Sequence, residues 1–462
     1  MADVVVASNR GPLTFRTDSG GRPVEAATGG GLATTLHPLF AETGATWVAA
    51  SMSEADRLAS AEGLMDEHGL KIVTVEPDDA TYRMAYDVVS NATLWFCHHH
   101  LFDLPRRPRF DRHWAEAWDA YRRFNRLFAE AVAAEADPGA RVLVQDYHLA
   151  LCGAMLAEAR PDLRTVHFSH TPFADPSALR TLPSDAAAEL LGGMAGFGAC
   201  GFHTARWEGA FRAAYADPSL ARGAVPPATF TSPLGPDPAA LAEEAASAAV
   251  AEAGQQLEAM VGDRRLVVRV DRVELSKNLL RGFWAFDELL ATHPEWRNRV
   301  VMVALAYPSR QGLADYLAYR TAVEHAVERL NDRWGTPDWT PVVLDVADDR
   351  DRSAAALLHY DVLLVNPIRD GLNLVAKEGP LFNTVDGVLV LSREAGAFEE
   401  LHPAALGVNP FDVAETAAAL DQALAMDGAE RAERAERLRR IVLARTAADW
   451  LADQLAVADR LG

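Results

Sequence analysis

At 462 residues the chain exceeds the size at which a single hydrophobic core stops growing, so two domains are expected. With 49% hydrophobic and 24% charged residues it has the composition of an ordinary globular protein. The net charge of −21 argues against DNA, RNA or an anionic membrane as partner, because phosphate-rich surfaces demand a basic footprint. A small phosphorylated substrate needs only a few clustered cations and stays admissible.

The start, Met1-Ala2-Asp3 and a short apolar run at 4–7, has neither the basic region nor the long apolar core of a signal peptide. No uninterrupted apolar stretch approaches the roughly 20 residues that span a bilayer. Cys97, Cys152 and Cys200 are odd in number and widely spaced, which gives neither a metal pattern nor a disulfide framework. A cytoplasmic location is expected.

Short β-branched runs then alternate with Ala/Leu-rich helical stretches. The run 141–146 precedes a helix from Leu149, and 266–269 precedes a helix from Asn278; further runs fall at 300–305, 341–345, 361–365 and 387–391. Continuous apolar strands alternating with helices predict parallel sheets covered on both faces, hence doubly wound α/β domains. Such sheets bind ligands in the loops just after their strands. Ser232-Pro-Leu-Gly-Pro-Asp-Pro238, with three prolines and a glycine after a strand at 228–231, is the best domain boundary. It separates a first domain, 1–233, from a second, 238–440. The Ala/Leu and Glu/Arg pattern over 431–461 reads as surface helix, and its end, 441–462, is placed back against the first domain.

Three strand-end regions carry the chemistry. Asn366-Pro-Ile-Arg-Asp-Gly-Leu-Asn-Leu-Val-Ala-Lys-Glu378 follows the strand at 361–365 and opens a helix, whose free N–H groups and positive dipole end suit a diphosphate. Within it Asp370 is placed to accept from sugar hydroxyls and Glu378 from a ribose diol. In Val270-Asp-Arg-Val-Glu-Leu-Ser-Lys-Asn278, Arg272 and Lys277 can converge on one anion and stabilise a departing diphosphate. In the first half, Ser8-Asn-Arg10, Gly29-Gly-Gly31, Gln145-Asp146-Tyr-His-Leu149 and Ser169-His170-Thr-Pro-Phe173 sit at strand ends or a helix start. Taken singly, a strand-end histidine is more often structural than catalytic, and Trp47, Tyr86 and Trp95 are more often core. The triplet His98-His-His100 cannot turn three consecutive side chains to one ion, and 347–352 reads as a polar loop before a helix.

Taken in order, Ser-Asn-Arg, Gly-Gly-Leu-Ala, Ser90-Asn-Ala-Thr-Leu-Trp95, Gln-Asp-Tyr-His-Leu, His-Thr-Pro-Phe, Gly201-Phe-His-Thr204, Arg269-Val-Asp-Arg-Val-Glu-Leu-Ser-Lys-Asn278, Pro308-Ser-Arg310, Arg369-Asp-Gly-Leu-Asn-Leu-Val-Ala-Lys-Glu378 and Leu391-Ser-Arg-Glu-Ala-Gly-Ala397 resemble the trehalose-6-phosphate synthase family in its actinobacterial form. The likeness runs from about residue 4 to beyond 410. It implies the GT-B architecture, two Rossmann-like domains facing across a cleft, with transfer of glucose from a nucleoside-diphosphate glucose to glucose 6-phosphate with retention of configuration. By motif, Arg272 and Lys277 would bind the donor diphosphate, Asp370 the donor glucose, the Asn373-Leu374-Val375 backbone the phosphates and Glu378 the ribose. Gly30 and Gly31 would close on the donor. Arg10, Tyr86, Trp95 and Arg310 would hold the acceptor phosphate, Trp47 and Asp146 the acceptor glucose, and His170 the donor sugar or the developing charge.

The resemblance implies no metal or other cofactor, small-molecule partners only, and leaves homo-oligomers open. The sequence style tilts the donor from UDP-glucose towards GDP-glucose. Two rivals are a pseudo-glycosyltransferase of the validoxylamine 7′-phosphate synthase type and a non-catalytic sugar-phosphate sensor. The first departs from the signature that stands intact here at Arg369–Glu378, and the second should have lost donor cations or the Asp/Glu pair, whereas Arg272, Lys277, Asp370 and Glu378 all remain.

Overall fold

The computed structural model describes residues 2–26, 32–64, 70–310 and 312–461. It divides into two compact units: residues 1–234 with 447–462, and residues 235–446. Gly30 and Gly31 lie outside the described residues.

In the first unit the strands are β1 (Ala2–Ser8), β2 (Phe15–Thr17), β3 (Pro23–Glu25), β4 (Thr46–Ala50), β5 (Lys71–Val75), β6 (Ala136–Gln145), β7 (Arg164–Ser169), β8 (Ala199–Phe202) and β9 (Ala228–Thr231). β2 and β3 form a small antiparallel hairpin. The others make one parallel sheet in the order β5-β4-β1-β6-β7-β8-β9. The chain therefore builds outward from β1 in one direction, returns, and builds outward from β6 in the other. In the second unit β10 (Arg265–Arg272), β11 (Val300–Tyr307), β12 (Val342–Asp345), β13 (Val362–Val365), β14 (Val388–Ser392) and β15 (Leu406–Val408) repeat that plan, in the order β12-β11-β10-β13-β14-β15. Buried runs such as Val5, Val6 and Ala7 in β1, and Val267 and Val268 in β10, explain the pattern: strands covered on both faces have no reason to alternate. The doubly wound α/β fold class is thus the one expected.

Parallel winding puts all crossover loops of one kind at the carboxyl ends of the strands, and reversal of strand order leaves a crevice there. The reversals lie between β1 and β6 and between β10 and β13. The loops that follow these strands are Ser8–Arg10, Asp146 onward, Arg272–Asn278 and Asn366–Glu378.

Two local readings change, and one segment winds in a way the sequence does not predict. The segment after β6 does not enter a helix at Leu149 but makes a 3₁₀ turn, Tyr147–Leu149, before the helix Cys152–Ala159. The segment Met84–Leu94, which carries Tyr86, winds with i→i+5 bonding; the Trp95 N–H reaches back to the Ser90 carbonyl. Such wide turns are rare and concentrate where function needs them. The last stretch is two helices, Gly428–Leu443 and Ala447–Asp459, so the first runs across residue 440 and the chain rejoins the first unit only at Ala447. The second of them belongs to the first unit, where the sequence places the end of the chain, but it is more than a surface helix. It buries Trp450 completely, edge-on to Phe168 of β7 with ring centres 5.0 Å apart, together with Gln454. Among the described residues no helix is long and apolar enough to cross a membrane.

Removing a fully buried indole leaves a cavity as well as a transfer cost, about 3–5 kcal/mol. Trp450→Ala should lower the stability of the first unit by that amount in urea unfolding; a loss below about 1 kcal/mol would show that the helix is peripheral.

Candidate functional site

At the second unit's reversal point, charge is concentrated and paired. The Arg269 guanidinium is fully buried on β10 and grips the Asp271 carboxylate with two N–H donors, at 3.0 and 2.8 Å. A third contact runs to the Lys277 carbonyl at 3.1 Å. Gly282 makes room for it, since a Cβ there would lie 2.0 Å from Arg269 Nη1. One buried arginine thus fixes both ends of the loop that presents Arg272 and Lys277. Between them the fully buried Glu274 receives Arg272 at 3.2 Å and Arg310 at 3.5 Å. Arg310, in left-handed conformation, also donates to the Tyr316 hydroxyl at 2.6 Å. Arg310 therefore belongs to the second unit's cation cluster, whereas Arg10, Trp47, Tyr86, Trp95 and Asp146 lie in the first unit.

The loops after β10 and β13 are joined by an ion pair. Lys277 Nζ donates to Asp370 Oδ2 at 2.5 Å, with both side chains only 15% exposed. Burial is the largest influence on the Lys277 ammonium and disfavours it, but Asp370, Asp271 and Glu274 together outweigh burial and the nearby Arg272 and hold its pKa above the ordinary value. Asn373, at φ +81°, donates its amide to Asp370 at 3.1 Å and accepts the Ala376 N–H at 3.1 Å, so it orients Asp370 and caps the helix Val375–Phe382 at once. The Gly371 carbonyl packs where a Cβ of Gly396 would stand, 2.0 Å away. Inside the first turn of that helix Glu378 is largely buried, its side chain 13% exposed. Burial pushes its carboxyl up, and Arg350 at 3.4 Å pulls it partway back.

In the first unit the strand-end groups are mostly uncharged. Asp146 adopts φ +71° and ψ +169°, a region reserved almost wholly for glycine and worth about 1–3 kcal/mol of strain. Three bonds hold it there. Its N–H donates to the Phe168 carbonyl at 2.8 Å, its carbonyl accepts from His167 Nε2 at 3.1 Å, and its carboxylate accepts the His170 N–H at 3.2 Å. The His170 ring is held on both sides, Nδ1 by His203 Nε2 at 3.1 Å and Nε2 by the Gln145 side-chain amide oxygen, Oε1, at 2.9 Å. The Leu234 N–H donates to His203 Nδ1 at 3.3 Å, which puts the His203 proton on Nε2. His170 Nδ1 is then an acceptor and its own proton sits on Nε2. Burial, then His203 and His167, hold the His170 pKa well below its usual value, so the ring is neutral.

Nearby, the Ser8 hydroxyl accepts the Trp47 indole N–H at 2.8 Å and donates to the Arg10 carbonyl at 2.7 Å. Trp47 is 1% exposed and Arg10 is exposed. Tyr86 is half-buried between Tyr82 and His148, with ring centres 5.3 and 5.8 Å away. Trp95 stacks on His99 at 3.9 Å.

The histidine triplet diverges: His98 accepts the Ala174 N–H, His99 meets the Trp95 carbonyl, and His100 faces Asp175. In the second unit His293, Glu295 and Asp421 bring one donor atom each within 4.8 Å. The Asp421 oxygen there already accepts the Trp296 indole at 2.7 Å, so the group reads as surface pairing.

Sequence reasoning missed Arg269, Glu274, Gln145, His203 and Arg350 as parts of the site. The first four stood inside strand-end motifs, which was the available signal. Arg350 carried none.

The profile of glycosyltransferase family 20 matches residues 2–460. A trehalose-6-phosphate synthase of Mycobacterium sp. (strain JLS) is 33% identical, over 97% of this chain and 94% of its own length. An alpha,alpha-trehalose-phosphate synthase [UDP-forming] of Aspergillus niger is 32% identical, over 97% and 95%. Among solved structures, a UDP-forming synthase of Burkholderia xenovorans in complex with glucose-6-phosphate superposes with a TM-score of 0.86 at 29% identity, covering 99% of this chain and 100% of that one. The Escherichia coli enzyme bound with UDP-2-fluoro glucose gives 0.83 at 28%, covering 99% and 98%.

The histidine relay makes a direct forecast. Nitrogen-15 spectra should show His170 neutral, protonated on Nε2, from about pH 8 down to about pH 6. A His170 that titrates near the ordinary 6.5 would break the assigned chain of donors.

Proposed function

The chain belongs to glycosyltransferase family 20, a family of transferases in the GT-B fold class, and from that premise we propose that it is an alpha,alpha-trehalose-6-phosphate synthase. It transfers glucose from a nucleoside-diphosphate glucose to glucose 6-phosphate. The observation that carries this reading is the pairing of Lys277 with Asp370 at one strand-order reversal, with Arg272 on the loop of Lys277 and Glu378 on the helix that follows Asp370, supported by relatives and solved neighbours that bear that name.

The second unit holds the donor. Arg272 and Lys277 take the diphosphate, aided by the Asn373-Leu374-Val375 backbone at the start of the helix Val375–Phe382. Asp370 accepts from the donor glucose and Glu378 from the ribose. Arg10, Trp47, Tyr86, Trp95 and Asp146 are the first unit's groups for the acceptor, and Arg310 is assigned to the acceptor phosphate by its motif. His170, assigned to the donor sugar by its motif, is neutral and serves as a hydrogen-bonding group, not as a base.

Transfer retains configuration without a covalent enzyme intermediate. The anomeric hydroxyl of glucose 6-phosphate attacks from the face that the nucleoside diphosphate leaves. The bond from C1 to the phosphate oxygen breaks, a bond to the acceptor oxygen forms, and the departing phosphate takes the acceptor proton. Orientation of the two substrates can supply about 7–11 kcal/mol. Fixed cations supply the rest by stabilising charge that appears only as the diphosphate departs. No metal is required, because protein cations neutralise the diphosphate.

On the donor base, the sequence style favours GDP-glucose, while the relatives whose names specify a product are UDP-forming. The ratio of kcat/KM for the two donors decides between them. This reading treats the protein as a cytoplasmic enzyme.

Offered glucose 6-phosphate with UDP-, GDP- or ADP-glucose in turn, the protein should release nucleotide in the presence of excess EDTA. No release above the acceptor-free control with any donor would overturn the proposal in favour of a sensor. Arg272→Ala and Lys277→Ala should each lower kcat by about 10²–10³, as loss of one preorganised donor does. A loss under about threefold for both would remove the cation assignment.

A further inference from the structure

The acidic and basic stretch 347–352 contributes a residue that the reaction scheme above does not use. Asp349 caps the helix Arg350–His359 by accepting the Arg352 N–H at 3.0 Å, and this fixes Arg350 at the helix start. From there the Arg350 guanidinium spans two carboxylates. It forks onto Glu244 of the helix Pro238–Ala245, Nε to Oε1 at 2.6 Å and Nη2 to Oε2 at 2.9 Å. Its remaining nitrogen, Nη1, reaches Glu378 Oε2 at 3.4 Å. Its carbon also lies over the Phe382 ring, 5.9 Å from the centre and one turn beyond Glu378 on the same helix.

The geometry is unequal. Glu244 holds the guanidinium in the bidentate, near-planar way that fixes both position and rotation. Glu378 receives one long contact. An arginine placed only to neutralise Glu378 would turn its fork to it. Here the fork is spent on Glu244, and Glu378 keeps Oε1 and most of its acceptor capacity for something else. The Glu378 side chain is 13% exposed, so it meets solvent or ligand through a small opening.

We propose that Arg350 is a positioning residue for the donor ribose: anchored by Glu244, it holds the Glu378 carboxyl group through Oε2 and turns Oε1 to accept from the ribose diol. This rests on the assignment of Glu378 to the ribose made above. The charged groups that act on Glu378 are Arg350, which favours the carboxylate, and Glu244, which disfavours it; burial disfavours it most. Without Arg350 the Glu378 carboxyl rises further, its anion is lost as pH falls, and donor affinity fails first on the acid side.

The test uses the full-length enzyme with whichever of UDP- or GDP-glucose it turns over better, and with the 2′-deoxyribose analogue of that donor. Arg350→Gln should raise donor KM about tenfold near pH 6 and less near pH 8, with kcat within about threefold, as for loss of a charge-assisted contact. Arg350→Lys should recover little, because an ammonium cannot fork onto Glu244 and reach Glu378 together. Glu244→Gln should show the same trend more weakly. The penalty should largely vanish with the 2′-deoxy donor and in the Glu378→Gln background.

If Glu378→Gln leaves donor KM unchanged, the ribose assignment fails and this inference falls with it. If Glu378→Gln raises KM and Arg350→Gln does not, the assignment stands and the inference alone is overturned. The inference is also overturned if Arg350→Gln costs as much with the 2′-deoxy donor, or costs the same at every pH. Circular dichroism and thermal unfolding of Arg350→Gln separate a folding defect; should it not fold, Arg350→Lys and Glu244→Gln carry the comparison with the same expected pH trend.

Discussion

A paired ammonium and carboxylate, Lys277 and Asp370, hold two loops of the second unit together at the point where its sheet changes direction. Neither group could be buried alone, because an isolated charge in such a place would sooner lose or gain a proton than remain ionised. The pair sits within a wider set, Arg269, Arg272, Lys277 and Arg310 against Asp271, Glu274 and Asp370, which carries one more cation than anion. That local excess stands out in a chain of net charge −21. Burying like and unlike charges together keeps the cations fixed before any anion arrives, so little reorganisation remains to be done on binding. The pairing costs stability relative to an apolar core of the same volume. On the function proposed, a departing diphosphate is what such fixed cations would serve.

Much of this was legible in the residues. Continuous apolar runs such as 266–269 and 361–365 announced buried parallel strands, and the rule that ligands collect after them pointed at Arg272, Lys277, Asp370 and Glu378. Strand order itself was not legible, because pairing across a sheet is a long-range choice that local pattern does not encode. Yet the strand order explains why the loops after β10 and β13 matter more than those after β11 or β14. The Trp450 helix escapes the local pattern for a related reason. Its mix of alanine, aspartate and leucine looks like solvated surface, and only the return of the chain to the first unit gives Trp450 a partner in Phe168.

Residues that act through others were the hardest to see. Arg350 lies in a stretch whose charges look solvated, and its two carboxylates are over a hundred positions before it and 28 after it. Asp146 stands out by its motif, but its strain was not foreseeable. A φ of +71° at an aspartate comes from three bonds supplied by β7 and the loop after it. The wide turn over Met84–Leu94 is equally silent in sequence, since nothing in those side chains separates i→i+5 from i→i+4 winding.

The two units follow one topological plan but furnish it in opposite ways. Where β10 and β13 part, the loops bring charge, and each charge is answered by another. Where β1 and β6 part, they bring a neutral relay, Leu234 to His203 to His170 to Gln145 to Gln454, in which every member has its donor direction set by the one before. The relay begins at the end of the first unit's main segment and ends on the helix that returns from the second, so the chain must close on itself before the ring of His170 is fixed. Neutral, directional groups of this kind suit a polyhydroxylated ring, which offers donors and acceptors but no charge. Fixed cations suit a leaving group whose charge grows as it departs. On the function proposed, a hexose carried on a diphosphate presents both demands, and the same fold meets each with the polarity it requires.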